Sequence, residues 1–429
     1  MPAAAPWSES ALWLNARVLA LGAMWRPPGC RGPALSACWA LYTGWMLFTQ
    51  LSFLVAQARA LWHFWGDVGK VTHDVCLMVT VVLGLIKFGV FSLRKDDFFR
   101  IVRQIDSARS EQSRSDDAEI ASILRASYRS ARNVTLYMTL LGGSSPAVWA
   151  VTPALMRKLR VGPPERELPA TAWYSGRDTD SPRYELLCVL QLFSMQYSFF
   201  AAIGLDLFFV SIIIHIAAQL QVLGVRLRGI GKLGHKQSSS LSNSPILLRD
   251  VEDGFYNEKS LWMEFCSCIQ QHHSIIELVK EVESLLNIII LLQFLGATVV
   301  ICVTLFQSST NTSNFMTLLK LQAYLMVIIY EIFIYCWYAD DILYQVNSFT
   351  SGIYFTVRLQ DLDASQVLQG IREWDAVVED KRGGGEPDTS SRLSAAAAGK
   401  FYYISRATFV RLISASYSYY ALLNQMNDK

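Results

Sequence analysis

Side chains able to do chemistry are few, and their spacing does not converge. Lys87, Asp206 and His215 lie inside long apolar runs, where a charge is expensive and requires a partner, so they can support an ion pair or hydrogen bond linked to gating, with a satisfied structural contact as the plainer reading. His272 and His273 stand about one turn from Glu277 on an amphipathic run, where a solvated helix face accounts for them. Cys266 and Cys268 form a CxC without a second pair at ligand spacing, so helix packing is expected and a metal site is not. No phosphate loop, HExxH helix or nucleophile elbow occurs. Neither an enzyme nor a bound cofactor is expected.

Two other patterns carry more. The stretch VRLISASYSYYALLNQMNDK, Val410 to Lys429, places Arg411, Ser414, Ser418, Ala421, Leu422 and Gln425 at helical intervals among aromatic and aliphatic neighbours. A stripe of small and polar residues along an apolar helix faces something other than lipid. Upstream, Gly142, Ser145 and Trp149 recur at i, i+3 and i+7 on one helical face, offering space, one hydroxyl and a broad apolar wall. Met195 and Phe199 sit at i and i+4 on another apolar run, and Tyr324 is an aromatic on a third. Such positions on a bundle helix ordinarily belong to the core.

The elements that must hold these residues are membrane helices. With 52% hydrophobic and 17% charged residues over 429, the chain is too apolar for two soluble domains and too long for one. A net charge of +2 without a basic block gives no reason to expect a nucleic-acid partner. The 8 cysteines lie mostly in or beside apolar runs, unlike a secreted disulfide framework. Near the N-terminus VLALGAMW is short, follows Arg17 and ends at RPPG, which fits an amphipathic segment at the membrane interface rather than a cleavable signal peptide.

Seven stretches have the roughly 20 apolar residues that a span needs, at about 34–57, 71–93, 133–153, 184–218, 284–306, 317–338 and 401–425. The fourth would run roughly 50 Å as one helix, so it should tilt and protrude. The fifth continues an amphipathic pattern upstream, with Glu264, Glu277, Lys280, Glu281 and Glu283 on its polar side. Of the 38 Lys and Arg residues, 25 fall on the N-terminal side of the membrane, 9 on the other side and 4 inside spans. The positive-inside rule therefore puts the N-terminus in the cytoplasm and the C-terminus outside. The expected fold is an all-α membrane protein of seven transmembrane helices whose cytoplasmic helix extensions form an anchor region. Residues 1–33 form a cytoplasmic N-terminal segment, 34–425 the seven-helix domain, and 339–400 a cytoplasmic loop. Low-complexity stretches at Gly234–Pro245 and Lys381–Gly399 read as flexible connections. Sequons occur at Asn133, expected in the cytoplasm and unmodified, and at Asn311, in a short outer loop.

Several stretches together resemble insect odorant receptors: LNARVLALGAMW, LPATAWY (Leu168 to Tyr174), GLDLFFVSIIIHIAAQLQVLGVRL (Gly204 to Leu227), QQHHSIIELVKEVESLLNIIILLQFLGATVVICVTLF, IYCWYADDILYQ (Ile334 to Gln345) and ATFVRLISASYSYYALLNQ. The resemblance implies a tuning subunit of a ligand-gated, non-selective cation channel in the plasma membrane of olfactory sensory neurons. Its implied partners are the odorant co-receptor in a heterotetramer, a small volatile organic ligand, the lipid bilayer and permeating cations. The last helix of each subunit would line a central pore, with Ser418 on its wall, Leu422 as the hydrophobic constriction, and Gln425 and Met426 one turn further out. Small residues there let helices approach and polar ones hold water. The resemblance places an odorant pocket in the outer half of the bundle, between the second, third, fourth and sixth spans. Gly142, Ser145, Trp149, Met195, Phe199 and Tyr324 are its candidate residues.

The likeness departs at Arg358, where the family usually has tryptophan, and through the acidic, glycine-rich interval from Gln366 to Gly399. That departure bears on the cytoplasmic helix that ties subunits together. A gustatory receptor of the same superfamily is the nearest alternative, since SYYALLNQM partly matches that group's terminal motif. A G-protein-coupled receptor would need the opposite topology.

Overall fold

The computed structural model describes residues 10–26, 32–114, 117–159, 168–174, 180–241, 248–310, 315–359, 397–398, 402–403 and 405–427. Ten helices account for nearly all of them: α1 (Trp13–Leu21), α2 (Pro33–His63), α3 (Val68–Leu93), α4 (Lys95–Gln112), α5 (Ala118–Gly143), α6 (Ser145–Leu159), α7 (Arg183–Leu241), α8 (Leu248–Thr310), α9 (Phe315–Leu359) and α10 (Arg406–Asn427). A two-residue antiparallel pairing of β1 (Ala397–Ala398) with β2 (Tyr402–Tyr403) is the only ladder among the described residues.

Local chemistry explains the helix boundaries. Pro33 opens α2 at a position where a missing N–H costs nothing. Asp67 caps α3 by accepting the Lys70 amide at 3.2 Å, and that hydrogen bond holds its carboxyl below the usual range. Asp117 caps α5 through the Glu119 amide at 2.8 Å. The expected third span, 133–153, is not one helix. GGSSP interrupts it at Ser144, where two glycines lower helix propensity and Pro146 can neither donate to nor pack against the turn before it.

The helix α7 is the centre of the bundle, and every residue from Ala201 to Leu220 is buried. A helix apolar on all sides belongs in a core, and α3, α5, α8 and α9 enclose this one. It carries 59 residues and α8 carries 63, so both extend well past a hydrocarbon thickness of about 30 Å, as their sequences predict. However, α7 continues to Leu241, into the stretch from Gly234 expected to be a flexible connection. At that extended end Arg100 meets Glu281 at 3.0 Å and Arg226 meets Gln271 at 2.8 Å, joining α4 and α7 to α8. His273 and Glu277 pair at 3.3 Å on an exposed face of α8. Close approach between α8 and α3 depends on Gly296, where a Cβ would sit 2.6 Å from Leu83 Cδ1.

By contrast α2 turns much of its surface outward, with Leu41, Phe48 and Trp62 more than half exposed and only the stripe through Gln50, Phe53, Gln57 and Ala60 buried. By length and composition five described helices can cross a membrane: α2, and the stretches Gly69–Leu93, Arg183–Ile230, Met263–Thr310 and Leu318–Ile342. The other two expected spans differ for physical reasons, α5–α6 being broken and α10 carrying the polar stripe. The N-terminal segment does more than lie at an interface. Asn15 of α1 donates to Thr135 Oγ1 and to the Leu207 carbonyl, both at 3.0 Å, and Trp25 packs among Phe91, Phe99 and Phe208. Asn133 lies on an exposed position of α5, while Asn311, Arg358 as a side chain, and the interval 360–396 lie outside the described residues.

Candidate ligand cavity and terminal helix

Where α5 gives way to α6, the bundle forms a partly open cavity of about 80 Å³. One water needs roughly 10–15 Å³ by the same measure, so the space exceeds solvent scale. Ser145 and Trp149 of α6, Met195 and Phe199 of α7, and Tyr324 of α9 all line it. Gly142 does not. It lies behind Phe199, and a Cβ there would collide with that ring, so the glycine makes room for a wall residue rather than for a ligand. The walls also include Phe53 of α2 and Gln293, Ala297 and Val300 of α8, so six helices contribute where four spans were expected.

One end of the cavity is an aromatic cluster held by hydrogen bonds. Trp149 lies tilted against His73 at 5.2 Å and meets Tyr324 edge-on at 6.0 Å, with Lys320 Nζ 4.3 Å above its ring. The Tyr324 hydroxyl pairs with Thr80 Oγ1 at 2.6 Å and donates to the Cys76 carbonyl at 3.3 Å. The LPATAWY stretch closes this end. Thr171 Oγ1 pairs with His73 Nδ1 at 2.8 Å, the Trp173 amide donates to the Ala56 carbonyl at 3.1 Å, and Gln191 clasps the Ala170 backbone in both directions. A loop motif with no regular structure of its own is thus tied to α2, α3 and α7.

The other end holds charge. Lys87 Nζ meets Asp206 Oδ2 at 2.5 Å and the Ala202 carbonyl at 2.9 Å, and Tyr335 donates to Asp206 Oδ1 at 2.7 Å. All are essentially without solvent contact. The partner that intramembrane Lys87 and Asp206 required is each other. Glu331 completes the cluster, 3.9 Å from Lys87 Nζ, and it lines the cavity. His215 does not join: it is buried further along α7, with Nε2 lacking a hydrogen-bond partner. The sequence expectations passed over Glu331 although it sits in LMVIIYEIFIYCWY, a signal of the same kind as Lys87 and Asp206.

The terminal helix α10 packs on α8 and α9 with Leu412 and Ser416 buried. Arg406 anchors its start, pairing with Asp340 at 3.0 Å and lying 4.1 Å over the Trp337 ring, while Phe409 meets Phe333 edge-on at 5.6 Å. Trp337 and Asp340 belong to the IYCWYADD stretch of α9, and Phe333 precedes it. On the far face Arg411, Ser414, Ser418, Leu422 and Gln425 are exposed, and the Ser418 hydroxyl bonds back to the Ser414 carbonyl at 2.9 Å. Met426 lies in the helix, its side chain outside the described residues.

Comparison with known proteins agrees with this architecture. The sequence profile of the 7tm odorant receptor family matches residues 67–357. Odorant receptor Or2 of Anopheles gambiae is 21% identical over 373 residues, covering 87% of this chain and 89% of its own. Odorant receptor 10 of Aedes albopictus is 24% identical over 371 residues, covering 85% and 87%. The olfactory receptor OR5 of Machilis hrabei shares the fold with a TM-score of 0.71 at 14% identity, covering 96% of this chain and 97% of that one. Its complex with eugenol superposes with a TM-score of 0.68 at 13% identity, covering 98% and 99%.

Proposed function

The chain belongs to the odorant receptor family of multi-pass membrane chemoreceptors, and on that premise we propose that it is the odorant-tuning subunit of a non-selective cation channel. The partner is the odorant co-receptor, the assembly a heterotetramer, and the site of action the plasma membrane of olfactory sensory neurons. The N-terminus is cytoplasmic and the C-terminus extracellular.

The observation that carries this reading is the two-faced α10. One face buries Leu412 and Ser416 against α8 and α9, and the other leaves Ser414, Ser418, Leu422 and Gln425 exposed. Hydroxyl and amide groups are expensive against lipid, whereas four such faces around an axis form a wetted conduit with Leu422 as its apolar constriction. Met426 belongs to the same outer turn.

The cavity supplies the ligand site. Ser145, Trp149, Met195, Phe199 and Tyr324 contact the odorant, and Gly142 sets the Phe199 ring. Such walls select mostly by shape and dispersion, which suits small volatile molecules. Met195 adapts to several shapes. Gating is a population shift in which odorant binds the open arrangement better, and a differential of about 1.4 kcal/mol changes the closed-to-open ratio tenfold. The mechanical route is short: Tyr324 contacts the ligand on α9, and Phe333, Trp337 and Asp340 of the same helix grip α10.

Whole-cell current tests the reading, in cells carrying this chain with and without the co-receptor and challenged with a broad panel of volatiles. Ligand-evoked cation current only when both chains are present supports it. Current carried by this chain through a G protein, or no current with both chains at the cell surface, overturns it.

A further inference from the structure

The polar groups on the cavity wall are unevenly matched. Ser198 donates its hydroxyl to Gln50 Oε1 at 2.9 Å, and the hydroxyls of Thr80 and Tyr324 serve each other and the Cys76 carbonyl. These three hydroxyls are already committed to protein acceptors, and Ser145 brings a fourth to the wall. Two buried acceptors on the same wall have no hydrogen-bond partner, Glu331 Oε1 and Gln293 Oε1, on residues 1% and 4% exposed. Buried oxygen acceptors are normally satisfied, so their donor comes from what fills the cavity, water in its absence and a bound ligand that displaces it.

Position adds direction. Glu331 follows Tyr324 by two helical turns on α9, roughly 10 Å along the axis. A ligand whose apolar body rests between Trp149, Met195 and Phe199 therefore reaches the carboxyl with its far end. Charge then restricts what that end carries. Asp206 and Glu331 already share the Lys87 cation, at 2.5 and 3.9 Å, and a charged ligand end would have to shed its water to join them. A neutral hydroxyl brings a donor without that penalty.

We propose, building on the odorant-receptor reading above, that this cavity selects volatile alcohols, with Glu331 Oε1 accepting the ligand hydroxyl at the charged end of the pocket. Glu331 is a specificity residue, distinct from the aromatic wall that grips the apolar body. A net hydrogen bond corresponds to roughly three- to tenfold in an equilibrium constant.

The test uses the full chain co-expressed with the co-receptor. Evoked current is measured against concentration for a primary alkanol, its methyl ether and the alkane of equal length. The alkanol is expected to be roughly three- to tenfold more potent than the ether. Glu331→Met removes the acceptor at similar volume and leaves Lys87 paired one to one with Asp206, so it should bring that ratio below about twofold while the ether response persists. Glu331→Gln, which keeps a carbonyl oxygen, should retain part of the preference. Equal potency in the unmodified chain, or responses confined to volatiles without a donor, overturns the inference alone, even if the Met variant carries no current. Silence of the unmodified chain to the series and to the whole volatile panel overturns the receptor reading, and this inference with it.

Discussion

Asp206 on α7 and Ser418 on α10 are both polar residues in helices of apolar surroundings, yet their fates differ. Asp206 is fully enclosed, with Lys87 on one carboxylate oxygen and Tyr335 on the other. Ser418 is exposed and turns its hydroxyl back onto its own helix. Polarity inside α7 is answered within the subunit, so it specifies how α3, α7 and α9 meet. Polarity on α10 reaches no other helix of the subunit and stays exposed, so a complement of water or neighbouring copies suits that face. Two kinds of intramembrane polar residue thus separate by whether they join helices of one chain or stay exposed on its surface.

Breaking the α7 cluster should have the largest effect. Lys87→Ala leaves Asp206 and Glu331 buried without their cation, a change that costs about 3–5 kcal/mol, and surface delivery of the subunit should be lost. Combining Lys87→Met with Asp206→Leu and Glu331→Gln should restore much of it, as read by surface labelling. Changes on α10 should spare folding and alter conduction instead. Leu422→Ala is expected to raise basal current several-fold with surface delivery within about twofold of the unmodified chain. Unchanged basal current and ligand response would remove Leu422 from the constriction.

Effects on the cavity should fall between these extremes. Trp149→Ala removes a wall ring that also contacts His73 and Tyr324, so odorant potency should fall about tenfold or more while single-channel conductance stays the same. The reverse outcome would place Trp149 outside the pocket. Gly142→Ala drives its methyl into the Phe199 ring and should push that ring into the cavity, lowering potency for bulky odorants more than for slender ones. The smallest effect belongs to Ser414→Ala, an exposed change expected to shift stability by no more than about 0.5 kcal/mol.

Much of this was legible in the sequence because the strongest signals are long and one-dimensional. Apolar runs, helical periodicity on Val410–Lys429 and the overlength of the fourth and fifth spans each depend on residues near one another in the chain. What the sequence withheld is pairwise. Nothing in the spacing of Lys87 and Asp206 brings them to 2.5 Å, and the apolar character of α7 looks the same whether lipid or protein surrounds it. The break at Ser144 was written in GGSSP, yet helical spacing from Gly142 to Trp149 runs straight through it. Ser145 and Trp149 of that spacing line the cavity, whereas Gly142 lies behind the Phe199 ring, a contact that spacing along the chain does not reveal. Glu331 was equally visible in its apolar run, but its meaning depends on the cavity beside it.

Cysteine accessibility in the assembled channel tests the central claim most directly. Ser418→Cys and Ser416→Cys are neighbours on opposite faces of α10, one exposed and one buried. A charged, water-soluble thiol reagent is applied during odorant-evoked current, with the unmodified chain as control for exposed Cys38. The account predicts irreversible loss of current at Ser418→Cys and none at Ser416→Cys or in the control. Protection of position 418 with the channel open, or equal modification of both positions, would contradict it.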